Sequence, residues 1–469
     1  MKEVAVAVDA GYPDNADLMI DEQGRPTLKA HKSPGHSAGA LALAVAVKDR
    51  LPERSLLEIL TRTTRHLRWF RHFGPLSGSD AKLADPLERY LLVAFAYGCN
   101  LGAAQAARHL RGRVSAHELS YTLRKHVTVA SLNKAIADVV NAYLRLDLPR
   151  LWGEGNAVAA DGTKYDVYVD NLIAEFHIRY GGYGGIAYHH IADNYIALFS
   201  RFIPCGVWEA VYIIEGLLEQ ESEAAPKEIH ADTQGQSFPV FGLAHLFGFE
   251  LLPRIRNFRD LTFHRPEPGI AYRHIDALFG EPINWRLIED HWQDLMKVAI
   301  SIREGELSSI TLLRRLRHDS KRNKIYRAFR ELGRVKRTMV LLRYISDAAL
   351  RENITRATNM VESYNNFAKW IGFGNNGVIA DNEPEEQEKA IKFNTLVADL
   401  VMYQTTLDMS LVLNQLRSER QAVYRTDVAI MSPYQEDNVR RFGDYIYDLN
   451  APLDGMEVCL DLGEGADAA

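Results

Sequence analysis

Residues 225–258, APKEIHADTQGQSFPVFGLAHLFGFELLPRIRNF, put a single carboxylate, Asp232, where one periodicity gives way to another. The run from Glu228 to Ala231 reads as a short strand, Thr233 to Gln236 as a turn, and a helical pattern starts directly afterwards. A second strand, FELLPRI, follows that helix. Asp forms strands poorly and caps or turns well, so Asp232 has a plain role as an N-cap or Asx turn. An acid at the carboxyl end of a strand in an open sheet also stands where ligands and metal ions bind.

Working upstream, the hydrophobic period shifts from about 3.6 to 2 near residue 155. GNAVAADGTKYDVYV reads as a strand in which Asp161 closes the apolar run AVAA. LIAEFHIRYGG alternates Phe176, Ile178 and Tyr180 against His177 and Arg179. A Gly-Gly-Tyr-Gly-Gly turn, the strand IAYHHIA, a turn at Asp193-Asn194 and the strand YIALFSRFI follow. VWEAVYIIEGLLEQ is an amphipathic helix with Val211, Ile214, Leu217 and Leu218 on one side, and it leads to the strand ending at Asp232. The expected order is β-β-β-α-β in an α/β fold. A strand reached through a helical crossover can lie parallel beside the first strand, which would set Asp161 opposite Asp232. This strand order is similar to that of the ribonuclease-H-like nucleotidyl-transferase fold, with the two acids at its metal-binding positions.

The rest of the chain reads mostly as helix. Residues 1–40 form a leader rich in Gly, Pro and Asp, and residues 41–150 a helical region, in which Gly98 to Gly102 joins two helical runs as packing or as a helix-turn-helix. Residues 151–275 hold the first part of the core, with a basic stretch around Arg254, Arg256, Arg259 and Arg265. Residues 276–350 read as a basic helical insertion, part of a helical stretch from about Ile275 to Arg351. Residues 351–410 complete the core, and 411–469 read as an acidic tail. In ITRATNMVESYNNFAKWIGFG, Met360, Tyr364, Phe367 and Ile371 share a buried face that ends at Gly372 and Gly374. Glu362 lies off that stripe, with Asn365, Asn366 and Lys369 near it.

The chain has 469 residues, 47% of them hydrophobic and 25% charged, as in a soluble globular protein. Its longest apolar run, AGALALAVAV, stops at Lys48 after ten residues, so no membrane span is expected. MKEVAVAVDAGYP lacks a signal-peptide layout, and Cys99, Cys205 and Cys459 form no paired motif; a cytoplasmic, reducing location is expected. The net charge of −6 divides unevenly. From residue 430 onward nine acids face Arg440 and Arg441, leaving the remainder near neutral. Within that remainder, residues 314–343 carry twelve Lys or Arg against Asp319 and Glu331. The block reads as a polyanion-binding surface that includes Lys321, Arg322 and Lys324. Leu312, Leu316, Ile325, Phe329 and Leu332 equally give it a buried stripe, so a solvated helical face is the plain alternative.

Three blocks, ADGTKYDVYVD, HADTQGQSFPVFGLAHLFGFELLPRIRNF and NMVESYNNFAKWIGFG, resemble the catalytic domain of Tn3-family transposases, the replicative, cointegrate-forming class. The resemblance covers roughly residues 45–410, and the spacings of 71 residues from Asp161 to Asp232 and 130 to Glu362 fit its layout. It implies that Asp161, Asp232 and Glu362 are catalytic metal ligands for two Mg²⁺ ions, with Mn²⁺ able to substitute. Carboxylates suit such hard cations. It also implies DNA as partner, cleavage at transposon ends, attack of the freed 3′-hydroxyl on target DNA, and a homo-oligomer assembled on paired ends. Arg254, Arg256 and Lys369 are candidate phosphate contacts. Family members are longer, with an N-terminal half that recognises terminal inverted repeats, so a truncated chain is expected. A ribonuclease-H-like nuclease and a non-catalytic DNA-binding remnant are the competing readings.

Overall fold

A computed structural model describes residues 1–29, 35–79, 82–167, 175–177, 182–205, 209–256, 261–317, 323–443 and 445–462. The fold is mixed α/β with a helical majority, organised on one six-stranded mixed sheet. Its strands are β1 (Ala157–Asp166), β2 (Glu175–His177), β3 (Gly182–Ala192), β4 (Ala197–Pro204), β5 (Glu228–Ala231) and β6 (Glu250–Pro253). β1 pairs antiparallel with β3, whose far edge is taken first by β2 and then by β4. On its other side β1 runs parallel to β5, and β5 runs parallel to β6. Helix α1 (Tyr212–Glu219) leads from β4 to β5, and helix α2 (Phe238–Leu246) from β5 to β6. Parallel neighbours need such crossovers. Residues 186–192 of β3 are all buried, so both faces of this strand are covered, His189 and His190 included.

Two sequence expectations shift here. The Gly-Gly-Tyr-Gly-Gly segment is not a turn: Gly182 to Gly185 are the first residues of β3. A Cβ on Gly184 would fall 2.6 Å from the Tyr165 carbonyl oxygen, and one on Gly185 would fall 2.0 Å from the Phe202 ring. These glycines allow close strand approach. The connection before them, including Ile178, Arg179 and Tyr180, lies outside the described residues. Asp161, for its part, does not end its strand. β1 continues to Asp166, paired with β3, and Asp161 marks the point where β1 loses its parallel neighbour β5.

The segment expected to be helical from Ile275 forms one 3-10 turn, Asp276–Leu278, and then a strand, Phe279–Pro282, parallel to Phe263–Arg265, and α-helix begins only at Trp285. Three long helices follow: α3 (Lys324–Ser346), α4 (Ala348–Ile371) and α5 (Pro384–Ser418). Asn323 and Asp347 cap the first two through their side chains. α4 lies across β1 and β3. α5 is enclosed between β4 and the helices of residues 56–144, and its 18-residue apolar stretch, long enough to cross a membrane, is 94% buried inside the protein, as in a core helix.

The two ends of the chain join this body. The Asp9 carboxylate, at the end of the helix Lys2–Gly11, accepts bonds from the backbone N–H groups of Arg273, His274 and Ile275 at 3.1, 2.7 and 3.1 Å. The segment read as an acidic tail starts inside α5. Beyond that helix, the carbonyls of Pro452 and Asp454 accept bonds from the Arg62 guanidinium at 3.2 and 2.5 Å.

Candidate active site

Asp161 sits opposite His189 in the β1–β3 register, and Ala160 sits opposite Ala231 in the β1–β5 register. Asp232, the first residue beyond β5, therefore emerges beside Asp161. Its carbonyl accepts the Gly235 N–H at 3.1 Å, which closes the turn into α2. Glu362 projects from α4 on an exposed position, while Val361, Tyr364, Phe367 and Ile371 of that helix are buried.

Asp161 is the acid on which the others act. Burial, the largest cause, together with the charges of Asp232, Glu209 and Glu362, pushes the Asp161 carboxyl up to about 7; the Gly162 backbone N–H pulls it down. Asp232, Glu209 and Glu362 thus each lie within electrostatic reach of Asp161, without a closed ligand set. Among the described residues no three His, Cys, Asp or Glu side chains stand close enough to share a metal ion. The donor chemistry, carboxylate oxygens crowded by like charge, fits hard divalent cations. The spacing is open.

Glu209 is the acid that sequence reasoning missed. It lies on the short turn Glu209–Val211 ahead of α1, is only 7% exposed, and approaches the backbone next to Asp161. A Cβ on Gly162 would meet Glu209 Oε2 at 2.7 Å, so this approach requires glycine in that position. The Asp-Gly pair in ADGTKYDVYVD was the available signal, but nothing local in the sequence indicates which acid would use the gap.

A second finding concerns the paired histidines His189 and His190 on β3. Asn365, one turn beyond Glu362, accepts a 2.8 Å bond from His189 Nδ1–H, and His190 donates through Nε2 to the Ile213 carbonyl at 2.9 Å. Burial pushes both imidazoles down to about 4, so they stay neutral. The His189–Asn365 bond ties the helix carrying Glu362 to the strand position opposite Asp161.

The predicted basic contacts are dispersed. Arg254 follows β6, and its N–H donates to the Ala231 carbonyl at 2.8 Å, one residue before Asp232. Lys369, two turns beyond Glu362 on α4, places its ammonium 5.6 Å from the centre of the Tyr165 ring. Burial lowers its pKa, and Asp166 partly opposes this. Arg256 and Lys324 are exposed, and no described contact joins either to the acids. Lys321, Arg322 and Arg259 lie outside the described residues.

A mixed sheet that presents acids from two parallel neighbours, with a third acid on a helix laid across it, is the frame of a DDE-type domain. Residues 58–445 match the family model described as the Tn3 transposase DDE domain, and the chain belongs to that family. It is 28% identical over 454 residues to the transposase for transposon gamma-delta of Escherichia coli (strain K12), which covers 96% of this chain and 45% of that relative. It is 27% identical over 413 residues to the transposase for transposon Tn1546 of Enterococcus faecium, covering 87% and 41%. With the transposase for transposon Tn21 of Escherichia coli the identity is 28% over 448 residues, covering 95% and 45%. The chain thus spans less than half the length of these curated relatives.

Proposed function

We propose that this chain is the catalytic region of a DNA transposase, cleaving at transposon ends and joining the freed 3′-hydroxyl to target DNA. The observation that supports the reading is that Asp161 and Asp232 stand at neighbouring strand positions beneath the helix that carries Glu362, in a chain of this family. On this reading the sheet is a ribonuclease-H-like core spanning residues 151–275 and 351–410, interrupted by the basic helices of 276–350.

The two strand acids supply fixed oxygens, because β1 and β5 are locked in register. The third oxygen comes from Glu362, which has to turn inward from its exposed position to complete the set. Two divalent ions, Mg²⁺ with Mn²⁺ as substitute, would be held by Asp161, Asp232 and Glu362 and would supply Lewis-acid polarisation of the phosphate and a clamp on the attacking and leaving oxygens.

The protein's own groups position the DNA. Arg254, beside Asp232, and Lys369, on the Glu362 helix, supply positive charge that draws phosphates toward an acidic floor which would otherwise repel them. The Asn365–His189 bond holds α4 over the sheet. In cleavage a water oxygen bonds to phosphorus as the bond to the 3′-oxygen breaks. In joining, that 3′-oxygen bonds to a target phosphorus as the target's own 3′-oxygen leaves. One phosphodiester is exchanged for another, so no protein nucleophile and no added energy source are required. The partners would be transposon ends and target DNA, the working state a homo-oligomer on paired ends, and the location a DNA-associated one in the cytoplasm.

Incubation with labelled transposon-end DNA, target plasmid and Mg²⁺ tests the reading. Nicked ends and joined products are expected. Hydrolysis without joining would point to a nuclease, and binding without cleavage to a non-catalytic remnant.

A further inference from the structure

The basic insertion holds a second charged constellation, separate from the acids. Gly333 of α3 crosses the first residue of α2 so closely that a Cβ there would fall 1.9 Å from the Phe238 carbonyl oxygen. That contact gathers Arg330, Arg334 and Arg337, on one stripe of α3, around the Phe238 ring. Their guanidinium carbons lie 5.9, 6.0 and 4.7 Å from its centre. His264 approaches the same ring edge-on at 5.8 Å.

Stacking on an aromatic face orients guanidinium groups, but it does not cancel the repulsion among three like charges. The carboxylate at hand is Glu331, whose Oε2 accepts from Arg334 at 3.1 Å while its Oε1 accepts the Asn284 N–H at 2.9 Å. Arg337 has no ion pair among the described residues. The Nε atoms of Arg334 and Arg337 are buried without a hydrogen-bond partner, and His264, only 4% exposed, lies beside them. Burial and the neighbouring arginines push that imidazole down to about 4, so it adds no charge of its own. Arg334 and Arg337 are oriented, partly dehydrated donors, Arg337 with no ion pair among the described residues, and such donors are completed by an anion with several acceptor oxygens.

Its place in the chain says which anion. Phe238 opens α2 immediately after the turn Thr233–Gln236 that leads away from Asp232. The arginines of α3 therefore pack against the first residue of the helix that leaves the acidic site. We propose that Arg330, Arg334 and Arg337, stacked on Phe238, form a cradle for one backbone phosphate of the DNA strand that enters the acidic site. This rests on the DNA-transposase reading given above. It assigns the positioning of the strand to α3's interior arginines and not to Lys324 at its exposed start.

Fluorescence anisotropy of the full chain with a labelled duplex, repeated over a salt series, tests it. Arg337→Ala is expected to weaken binding about three- to ten-fold and to reduce the salt slope by about one, equally for unrelated sequences. Arg337→Lys, which keeps the charge and loses the fork, should fall between and show that the Ala effect is not misfolding. Circular dichroism melts of both variants serve as the folding control. Arg286→Ala removes an arginine whose side chain is 90% exposed and should change binding less than two-fold. The cradle is overturned if Arg337→Ala keeps the wild-type salt slope, or if Arg286→Ala costs as much. Failure of the wild-type chain to bind any duplex at low salt would instead overturn the DNA reading itself, and the cradle with it.

Discussion

Along α5, Asp408 meets the Arg54 guanidinium through bonds of 2.9 and 3.1 Å, and Lys392 donates to the Ser200 carbonyl at 2.7 Å with Glu388 3.4 Å away. On β1, Asp161 has the carboxylates of Asp232, Glu209 and Glu362 as its charged neighbours. Both regions bury ionisable groups. In the first, at Asp408 and Lys392, the charge faces an opposite charge or a carbonyl dipole, so the penalty of dehydration is largely offset. In the second like faces like, which costs stability in the free protein and leaves a demand for cations. The contrast separates charge used to hold the helical body on the sheet from charge kept for chemistry.

The sharpest way to break this contrast is to remove acids from the second region. Asp161→Asn, Asp232→Asn and Glu362→Gln should each cut end cleavage by on the order of 10³-fold, read by single-turnover assay. Thermal melts should show the variants as stable as the parent or more so. Any one of them retaining full activity would detach that residue from the site. The opposite pattern is expected in the first region. Arg54→Ala leaves Asp408, whose side chain is 1% exposed, without its cation, and should cost about 3–5 kcal/mol in denaturant unfolding.

A pH series sharpens the comparison further. Asp161 is raised to about 7 from an ordinary 3.8, so the folded chain retains a proton that the unfolded chain has already lost. In chelator-treated protein, stability should therefore fall as pH rises from about 4 to about 7 and level off above that, by up to a few kcal/mol. Asp161→Asn should flatten this slope, and added Mg²⁺ should reduce it in the parent. A smaller effect is expected of Glu209→Gln: about 10- to 100-fold in activity and in Mn²⁺ affinity measured by titration, with the fold intact. Equal metal affinity in parent and variant would confine Glu209 to packing.

Legibility in the sequence followed the range of the interactions involved. The strand from Glu228 to Ala231, the turn and helix after it, and the exposed place of Glu362 on its helix depend on neighbours a few residues away, and the periodicities carried them. The glycines before Ile186 misled, because glycine marks turns and close strand approaches alike, and only the Phe202 ring and the Tyr165 carbonyl distinguish the two. The histidines at 189 and 190 show no metal spacing, and they are indeed held by hydrogen bonds. That one of them anchors the Glu362 helix depends on a partner 176 residues away.

By itself, the sequence carried the resemblance to this family in three motif blocks, and side-chain period and local turn chemistry placed Asp232 after a short strand and Glu362 on a late helix, off its buried face. Tertiary structure alone decided that Glu209 joins them through the gap at Gly162, that α3 wraps three arginines around Phe238, and that α5 lies buried between the sheet and the N-terminal helices. Those outcomes depend on which surfaces meet after the chain has folded back on itself, and that information resides in shape complementarity between distant segments rather than in any local run of residues.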